Sequence, residues 1–299
     1  MMIKTSSNIR DTQGILGKSA LYIVATPIGN LNDISLRALD ILKTVDVIAV
    51  EHIQNSKYLL MTHGISVPLI SLHQHNEVEA ANKILTLLTE GKRVALITDA
   101  GTPAISDPGA ILVQQVRAKN FPVIPIPGAN AAICALSAAG ITNPHFFFYG
   151  FLPTKSIARQ RELVTFKSQS FPTIFYEAPH RIIECIEDMI EVFGANRILT
   201  LARELTKIFE TIHVSSLADT LNWLKLDLYQ QKGEFVLILS GAEKNDKSQV
   251  SEQARDTLRY LLADLPLKQA VKLAATITGE NKSTLYQLAL RLKQSDQSE

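Results

Sequence analysis

The sequence predicts an α/β protein, built as two successive α/β domains followed by a small helical module. Short runs of β-branched and apolar residues alternate with longer stretches of helical period from Leu21 to about Gly241. The early runs are apolar throughout, which is typical of parallel strands covered by helices on both faces. A chain of 299 residues with an apolar fraction of 46% is also long enough to bury more than one sizeable core.

The first predicted domain, residues 19–128, alternates regularly between strands and helices. Its strands are predicted at 21–25, 45–50, 69–72, 94–98 and 123–126. Helices are predicted from Asn32-Asp33, through Tyr58 to Gly64, at 76–90 and from Pro108 to Lys119, and a small-residue helix follows Gly128 and runs to about Ala139. Residues 1–18 are polar and are expected to form a loose leader.

The second predicted domain, residues 129–243, has two strands in succession, which predicts a mixed sheet instead of a purely parallel one. Its strands are predicted at 146–149, 173–176, 197–202, 208–214 and 235–239, with helices centred near 160, 187 and 221. After a polar linker, residues 252–295 carry three short helical patterns interrupted by Pro266 and Gly279. These patterns predict a module of helix-turn-helix character, or alternatively a helical cap on the second domain.

Composition limits the choice of partners. A formal net charge of +1 does not suggest nucleic acid, so any RNA contact must come from local basic clusters. Cys134 and Cys185 have no metal-type spacing and indicate no disulfide framework, which suits a reducing cytoplasm. No apolar run approaches the roughly 20 residues of a membrane helix, and no membrane association is expected.

One stretch between strand and helix is too elaborate for a plain turn. Asp99 to Gly109 reads Asp-Ala-Gly-Thr-Pro-Ala-Ile-Ser-Asp-Pro-Gly and follows a buried strand, where open α/β sheets bind their ligands. Its first aspartate is placed to accept ribose hydroxyls, and its glycines and prolines hold an irregular backbone with free amides. The stretch therefore predicts a ligand-binding loop.

Other loops at strand ends are weaker indications of the same kind. The turn at 26–30 lacks the G-x-G-x-x-G fingerprint, so nicotinamide cofactors are disfavoured. Small residues at 126–131 open a helix that can receive a polar or anionic group, or simply pack tightly. In the second domain, charged residues follow strands at 176–181 and 203–207.

Taken together, these stretches resemble the tetrapyrrole methylase superfamily, and within it the branch that methylates the ribose 2′-oxygen of a cytidine in small-subunit ribosomal RNA. The resemblance runs from Leu21 to about Gly241, and the tail from 252 is similar to the small C-terminal domain of that branch. It is carried by six stretches in the same order, namely 24–31, 99–109, 150–155, 176–181, 202–207 and 233–236.

The resemblance implies a tetrapyrrole-methylase-like α/β/α architecture, a homodimer, and S-adenosylmethionine bound in the cleft between the two domains of each subunit. It implies a cytidine in the decoding region of 16S rRNA, on the small ribosomal subunit, as substrate. The residues implied to bind the cofactor are Pro27, Gly29, Asn30, Asp99, Gly101, Thr102, Pro103, Ile105, Ser106, Pro127, Gly128 and Ala129.

A ribose hydroxyl is a poor nucleophile, so the methyl transfer that the resemblance implies needs a base, or a charge that favours the alkoxide. The candidates are Glu51, His180, Arg203, Glu204 and Lys207, each with a structural ion pair or a cap as the alternative role.

The same branch implies RNA contact through the basic cluster of Lys155, Arg159 and Arg161, for which a solvated helix face is the alternative. The strand-like spacing of His73 and His75 favours a hydrogen-bonded or substrate-facing pair over a metal site, and no metal is predicted.

The sequence departs from the family pattern at residues 51–54. They read Glu-His-Ile-Gln where Glu-Asp-Thr-Arg is usual, and glutamine cannot reproduce the phosphate fork of arginine. Ala129, Asn130 and Ala178 are smaller departures. A non-catalytic or retargeted homologue that holds cofactor or ribosome is therefore one alternative. A methylase of small tetrapyrroles is another, although it would leave the helical tail unexplained; without the resemblance, the residues indicate a sugar or nucleotide transferase.

Overall fold

The structure is a computed structural model that describes residues 19–242, 250 and 252–295. The chain divides into two compact units between Ser240 and Gly241. The leader predicted at 1–18 lies outside the described residues.

The first unit opens with a five-stranded parallel sheet whose strand order is β3-β2-β4-β1-β5. Its strands are β1 (Leu21–Val24), β2 (Val47–Val50), β3 (Leu69–Ser71), β4 (Val94–Ile97) and β5 (Val123–Ile126). The helices that follow them are α1 (Leu36–Thr44), α2 (Ile53–Thr62), α3 (Glu77–Thr89), α4 (Ala110–Ala118) and α5 (Ala131–Ala138). Apolar side chains cover both faces of the sheet, as its all-apolar strands predicted.

Local hydrogen bonds explain where these helices begin and end. The Ser35 hydroxyl accepts from the amide of Ala38 to start α1, and the Asn130 side chain accepts from the amide of Ile133 to start α5. Val45 was expected in a strand, but its amide donates to the Ile41 carbonyl and closes α1. The second strand therefore begins two residues later.

The second sheet is mixed, which confirms the expectation from its successive strands. Its order is β6-β7-β10-β8-β9, with β6 parallel to β7 and the other pairs antiparallel. The strands are β6 (Phe147–Phe151), β7 (Thr173–Glu177), β8 (Ile198–Arg203), β9 (Thr211–Ser216) and β10 (Phe235–Leu239). The helices are α6 (Ser156–Val164), α7 (Ile182–Phe193) and α8 (Leu217–Leu226).

The strand predicted at 208–214 is misplaced. Glu204 and Thr206 adopt left-handed backbone conformations, with φ of 52° and 66°, and turn the chain away from the sheet. Ile208 and Phe209 are consequently exposed in that turn, and β9 begins only at Thr211.

Helix α5 joins the two sheets. It leaves the first sheet after β5 and packs Ala132 and Ala135 against Ile174, Val236 and Ile238 of the second sheet. Its small side chains permit close approach, which brings the loops at the strand ends of both sheets together.

The second unit consists of α9 (Glu252–Asp264), α10 (Leu267–Thr278) and α11 (Lys282–Ser295). The three helices share a small apolar core that includes Leu258, Val271 and Leu285. Gly279 ends α10 in a left-handed conformation, the usual role of glycine after a helix. Among the described residues, no helix is both long and apolar enough to cross a membrane.

Candidate active site

A cavity of about 310 Å³ lies between the two sheets, where loops from both converge. The first sheet contributes loops that follow β1, β4 and β5, and the second sheet contributes the ends of β6, β7 and β8 and the start of β10. The lining residues are Ile28, Ala100, Gly101, Thr102, Ile105, Ser106, Asp107, Asn130, Ala131, Phe151, Tyr176, Glu177, Ala178, Pro179, Leu205, Glu234, Phe235 and Val236.

The loop at 99–109 forms one wall of this cavity, through Gly101, Thr102, Ile105 and Ser106 among others. The amide of Gly101 donates to the Thr26 carbonyl over 3.1 Å, and the amide of Thr26 donates back over 2.9 Å. The Thr102 hydroxyl donates to the Ala129 carbonyl over 3.0 Å, which ties the loop to the segment before α5.

The far end of the same loop is held by a residue that sequence reasoning missed. The Glu77 carboxylate is buried, and one of its oxygens accepts from the amides of Gly109 and Ile111 over 2.9 and 2.8 Å. Those amides belong to the start of α4, where a helix dipole stabilises negative charge. No local pattern pairs a residue on α3 with amides more than thirty positions away.

Eight of the twelve residues predicted to bind the cofactor do not line the cavity. Some of them instead permit close packing: a Cβ on Gly128 would lie 2.8 Å from that of Ala25, and one on Gly29 would lie 2.6 Å from Cγ of Lys207. The Asn30 side chain accepts from the amide of Asn32. The eight residues are Pro27, Gly29, Asn30, Asp99, Pro103, Pro127, Gly128 and Ala129.

Asp99 is bound by the segment in which this chain departs from the family pattern. His52 Nδ1 lies 2.8 Å from Asp99 Oδ2, and Asn55 Nδ2 donates to the same oxygen over 2.7 Å. Glu51 accepts from the Asp99 amide over 3.4 Å. Ligand atoms of Glu51, His52 and Asp99 lie within 4.8 Å of one another, so the three side chains form one polar cluster beside the cavity.

Asp107 lines the cavity close to that cluster. Burial, the negative charge of Glu51 and, more weakly, that of Asp99 raise the pKa of Asp107 to about 6. The sequence placed this residue inside the ligand loop but did not single it out, because its burial depends on residues from several strands.

Three of the predicted catalytic residues, Arg203, Glu204 and Lys207, are held by hydrogen bonds or ion pairs within the protein. The buried Arg203 guanidinium donates to the carbonyls of Lys232, Tyr229 and Phe209 over 2.7, 2.8 and 3.2 Å, which is a structural role. Lys207 lies 2.8 Å from Glu204 and 2.7 Å from Glu234.

The ion pairs of Lys207 with Glu204 and Glu234 set the protonation states of Lys207 and Glu204. Burial alone would lower the pKa of Lys207, but Glu204 and Glu234 outweigh it and raise the pKa. Burial alone would raise the pKa of Glu204, but the hydrogen bonds from Lys207 and from the Glu234 amide lower it. Lys207 therefore remains an ammonium and Glu204 a carboxylate of reduced basicity. His180 is exposed on the one-turn helix beside the cavity-lining Pro179.

The second sheet supplies an aromatic wall. The Tyr176 and Phe151 rings have centroids 5.5 Å apart, and the Tyr176 hydroxyl accepts from the Ala132 amide over 3.2 Å. Burial raises the pKa of Tyr176. Beside it, the buried Glu177 carboxylate lies 3.1 Å from Arg181 Nε. A charged residue that ends an apolar strand was the available sequence signal for Glu177.

The predicted contact of Arg159 with RNA is wrong. Its side chain is completely buried, and its Nε donates to Asp188 over 2.6 Å. Arg159 shares a helix face with the buried Leu163, four residues on, and this face packs against α7. Lys155 and Arg161 are exposed.

His73 and His75 lie in the turn before α3 and not on a strand. The Nδ1 atom of His73 accepts from the His75 amide over 3.2 Å, and the two ring centroids are 6.0 Å apart.

The first unit thus joins a parallel sheet to a mixed sheet, with a cavity between their strand ends. The chain belongs to the Tetrapyrrole (Corrin/Porphyrin) Methylases, whose family model matches residues 20–221. The methyltransferase CobJ has the same fold, with a TM-score of 0.57 at 18% identity over 75% of this chain and 95% of that one. The family model identifies this chain as a methyltransferase, and the likeness to CobJ confirms the predicted fold class.

Within that family, the relatives identify a narrower group. The chain is 47% identical to the Ribosomal RNA small subunit methyltransferase I of Pseudomonas aeruginosa, over 92% of this chain and 98% of that protein. It is also 47% identical to the protein of the same name in Haemophilus influenzae, over 90% of this chain and 96% of that protein. A second family model, described as RsmI C-terminal HTH domain, matches residues 248–293. The resemblance inferred from the sequence is confirmed.

Proposed function

We propose that this chain transfers the methyl group of S-adenosylmethionine to the ribose 2′-oxygen of a cytidine in the decoding region of 16S rRNA. The observation that carries the proposal is the identity of 47% to the small-subunit rRNA methyltransferases along nearly their whole length, helical module included. A methylase of small tetrapyrroles would not require that module.

The cavity suits the proposed cofactor. Its volume of about 310 Å³ lies in the range of small-molecule sites, which combine apolar walls with a few polar groups. Phe151 and Tyr176 offer aromatic surface to a purine, while Thr102 and Ser106 offer hydroxyls to polar groups. When bound there, S-adenosylmethionine supplies a methyl group on a sulfonium centre.

The protein aligns the methyl donor with the ribose, encloses both and removes the proton of the ribose hydroxyl. The 99–109 loop, held at Thr26, Ala129 and Glu77, orients the donor without needing to reorganise. The polar cluster of Glu51, His52 and Asp99 lies beside the cavity, where it can receive the ribose and its hydroxyl. A nearby base then makes the hydroxyl nucleophilic.

The rRNA is held through phosphate contacts outside the cavity. Lys155 and Arg161 are exposed at the start and in the last turn of α6, which follows the cavity-lining end of β6. Both side chains reach solvent and can pair with phosphates. The small subunit supplies the dense negative charge, so a protein of net charge +1 needs only this local cluster.

We also infer that the chain acts in the cytoplasm as a homodimer. Large apolar side chains, Phe146 and Phe147, are exposed at the start of the edge strand β6. Apolar surface of this kind marks protein interfaces. Sedimentation velocity should give twice the mass of 33.0 kDa, and a monomer at micromolar concentration would contradict the inference.

The decisive experiment is methyl transfer from labelled S-adenosylmethionine to purified small subunits that lack the modification, with mass spectrometry locating the methyl. Ala131→Trp should fill the cavity and abolish both cofactor binding and transfer. Ala138→Trp, exposed at the far end of the same helix, is the matched control and should preserve both.

The alternatives give different outcomes in the same experiment. Cofactor binding without transfer to any ribosomal particle would favour a non-catalytic or retargeted homologue, and Gln54→Arg would then be tested for recovery. Transfer to a small tetrapyrrole but not to subunits would favour the second alternative.

A further inference from the structure

Three carboxylates line the cavity in the described part of the chain, and two of them are already paired. Glu177 lies 3.1 Å from Arg181, and Glu234 lies 2.7 Å from Lys207. The third, Asp107, forms no ion pair with an arginine or lysine among the described residues. Of the three, it is the carboxylate whose charge no such cation neutralises.

Asp107 lines the cavity together with residues from both sheets, among them Thr102 after β4 and Tyr176 on β7. Its charge interacts with Glu51 and Asp99 of the polar cluster and with Tyr176 of the aromatic wall. A group that removes a proton from the substrate during methyl transfer must lie close to both the donor and the acceptor.

The backbone around Asp107 is fixed in place. Ala104 and Ser106 adopt left-handed conformations with φ of 68° and 64°, a strain that surrounding contacts must hold. Glu77 fixes the following Gly109, and a Cβ on Gly150 of the second sheet would lie 2.8 Å from Ser106 Oγ. The chain on either side of Asp107 is therefore fixed by contacts with both halves of the unit.

We propose that Asp107 is the catalytic base of the methyl transfer, an assignment that rests on the proposed function. Its carboxylate takes the proton of the ribose 2′-hydroxyl. The oxygen electron pair forms the bond to the methyl carbon, and the sulfur–methyl bond breaks, leaving its electron pair on sulfur as a neutral thioether. The proton on Asp107 then passes to solvent.

The electrostatic environment suits this role. A base is most effective when its pKa lies near the working pH, and burial with the charge of Glu51 raises the pKa of Asp107 to about 6. Asp107 is then mainly ionised at pH 7 and above, and more basic than an exposed aspartate. The groups that act on the Asp107 carboxyl by charge or hydrogen bonding are Glu51 after β2, Thr98 and Asp99 after β4, and Tyr176 on β7.

The test is a single-turnover assay on small subunits, with the full chain in excess and saturated with S-adenosylmethionine, from pH 5 to 9. For the wild type we expect the rate to fall below about pH 6, because the carboxylate becomes protonated. Asp107→Asn should lower the rate roughly 10²- to 10⁴-fold, with the dissociation constant for S-adenosylmethionine within a few-fold of wild type. Asp107→Glu should retain part of the rate, and Asp40→Asn, exposed on α1, should retain all of it.

The source of the low-pH decline is tested separately. Glu51→Gln should move the decline to lower pH, because it removes a negative charge that raises the pKa of Asp107. A decline near pH 6 that persists in Asp107→Asn would assign it to another group and overturn the proposal. Asp107→Asn with an unchanged rate, or with lost cofactor binding that accounts for the whole defect, would also overturn it. Absence of transfer by the wild type would instead refute the proposed function.

Discussion

Two arginines in α6, two positions apart, should behave in opposite ways. Arg159 is completely buried and donates to Asp188 over 2.6 Å, whereas Arg161 is exposed. Arg159→Ala should therefore destabilise the protein, and Arg161→Ala should weaken binding to the small subunit while leaving stability nearly unchanged.

The contacts of Asp188 set the size of the first effect. Removing one partner of a buried ion pair costs about 3–5 kcal/mol, because the other charge is left buried. After Arg159→Ala, however, Asp188 keeps hydrogen bonds from the Ser156 hydroxyl at 2.8 Å and the Gln160 amide at 2.6 Å. The loss should lie at the lower end, about 3 kcal/mol, which corresponds to a fall in Tm of roughly 6–12 °C for a unit of this size.

Thermal and urea unfolding measure the first effect, and filter binding to small subunits at several salt concentrations measures the second. Replacing both partners with apolar residues, as Arg159→Met with Asp188→Leu, should recover most of the stability. Arg159→Ala with a loss below 1 kcal/mol, or with weakened subunit binding at unchanged stability, would refute the buried role and restore Arg159 to the RNA surface.

Three further predictions concern the loop and the cavity. Asp107→Asn should stabilise the protein by about 1 kcal/mol at pH 8 after allowance for solvent screening, because the raised folded-state pKa makes its ionisation costly. The gain should vanish by about pH 3, below the ordinary pKa of 3.8, where the carboxyl is protonated in both states; its persistence there would contradict the reasoning. Glu77→Ala should lower the free energy of unfolding by about 2–4 kcal/mol and weaken cofactor binding, because the amides of Gly109 and Ile111 lose their acceptor. Glu77→Gln keeps one acceptor oxygen, so it should lose less stability in urea unfolding and less cofactor affinity in titration calorimetry. Tyr176→Phe keeps the ring and loses one hydrogen bond to the Ala132 amide, so unfolding should show a loss of about 1 kcal/mol, and a loss above 3 would refute this account.

The sequence by itself determined the order and type of the elements, the mixed second sheet and the existence of a long irregular loop at 99–109. These features are local, since they depend on hydrophobic period, caps and turn residues within a few positions of one another. Where a predicted boundary was wrong, a local backbone feature was responsible: the left-handed residues Glu204 and Thr206 moved the start of β9 to Thr211, and the hydrogen bond from the Val45 amide to the Ile41 carbonyl moved the start of β2 to Val47.

Only the tertiary structure decided which charges are buried, which are paired and which face the cavity. The pairing of Arg159 with Asp188 joins residues 29 positions apart, and the contact of Glu77 with Gly109 joins residues 32 apart. The helical period of the sequence predicts that Arg159 and Leu163 share a face of α6. It does not predict that Asp188 is the buried partner of Arg159. Burial and charge pairing depend on contacts between residues far apart in the chain, and such contacts also set the pKa of Asp107. The roles of these charged groups therefore follow from the fold and not from their spacing along the chain.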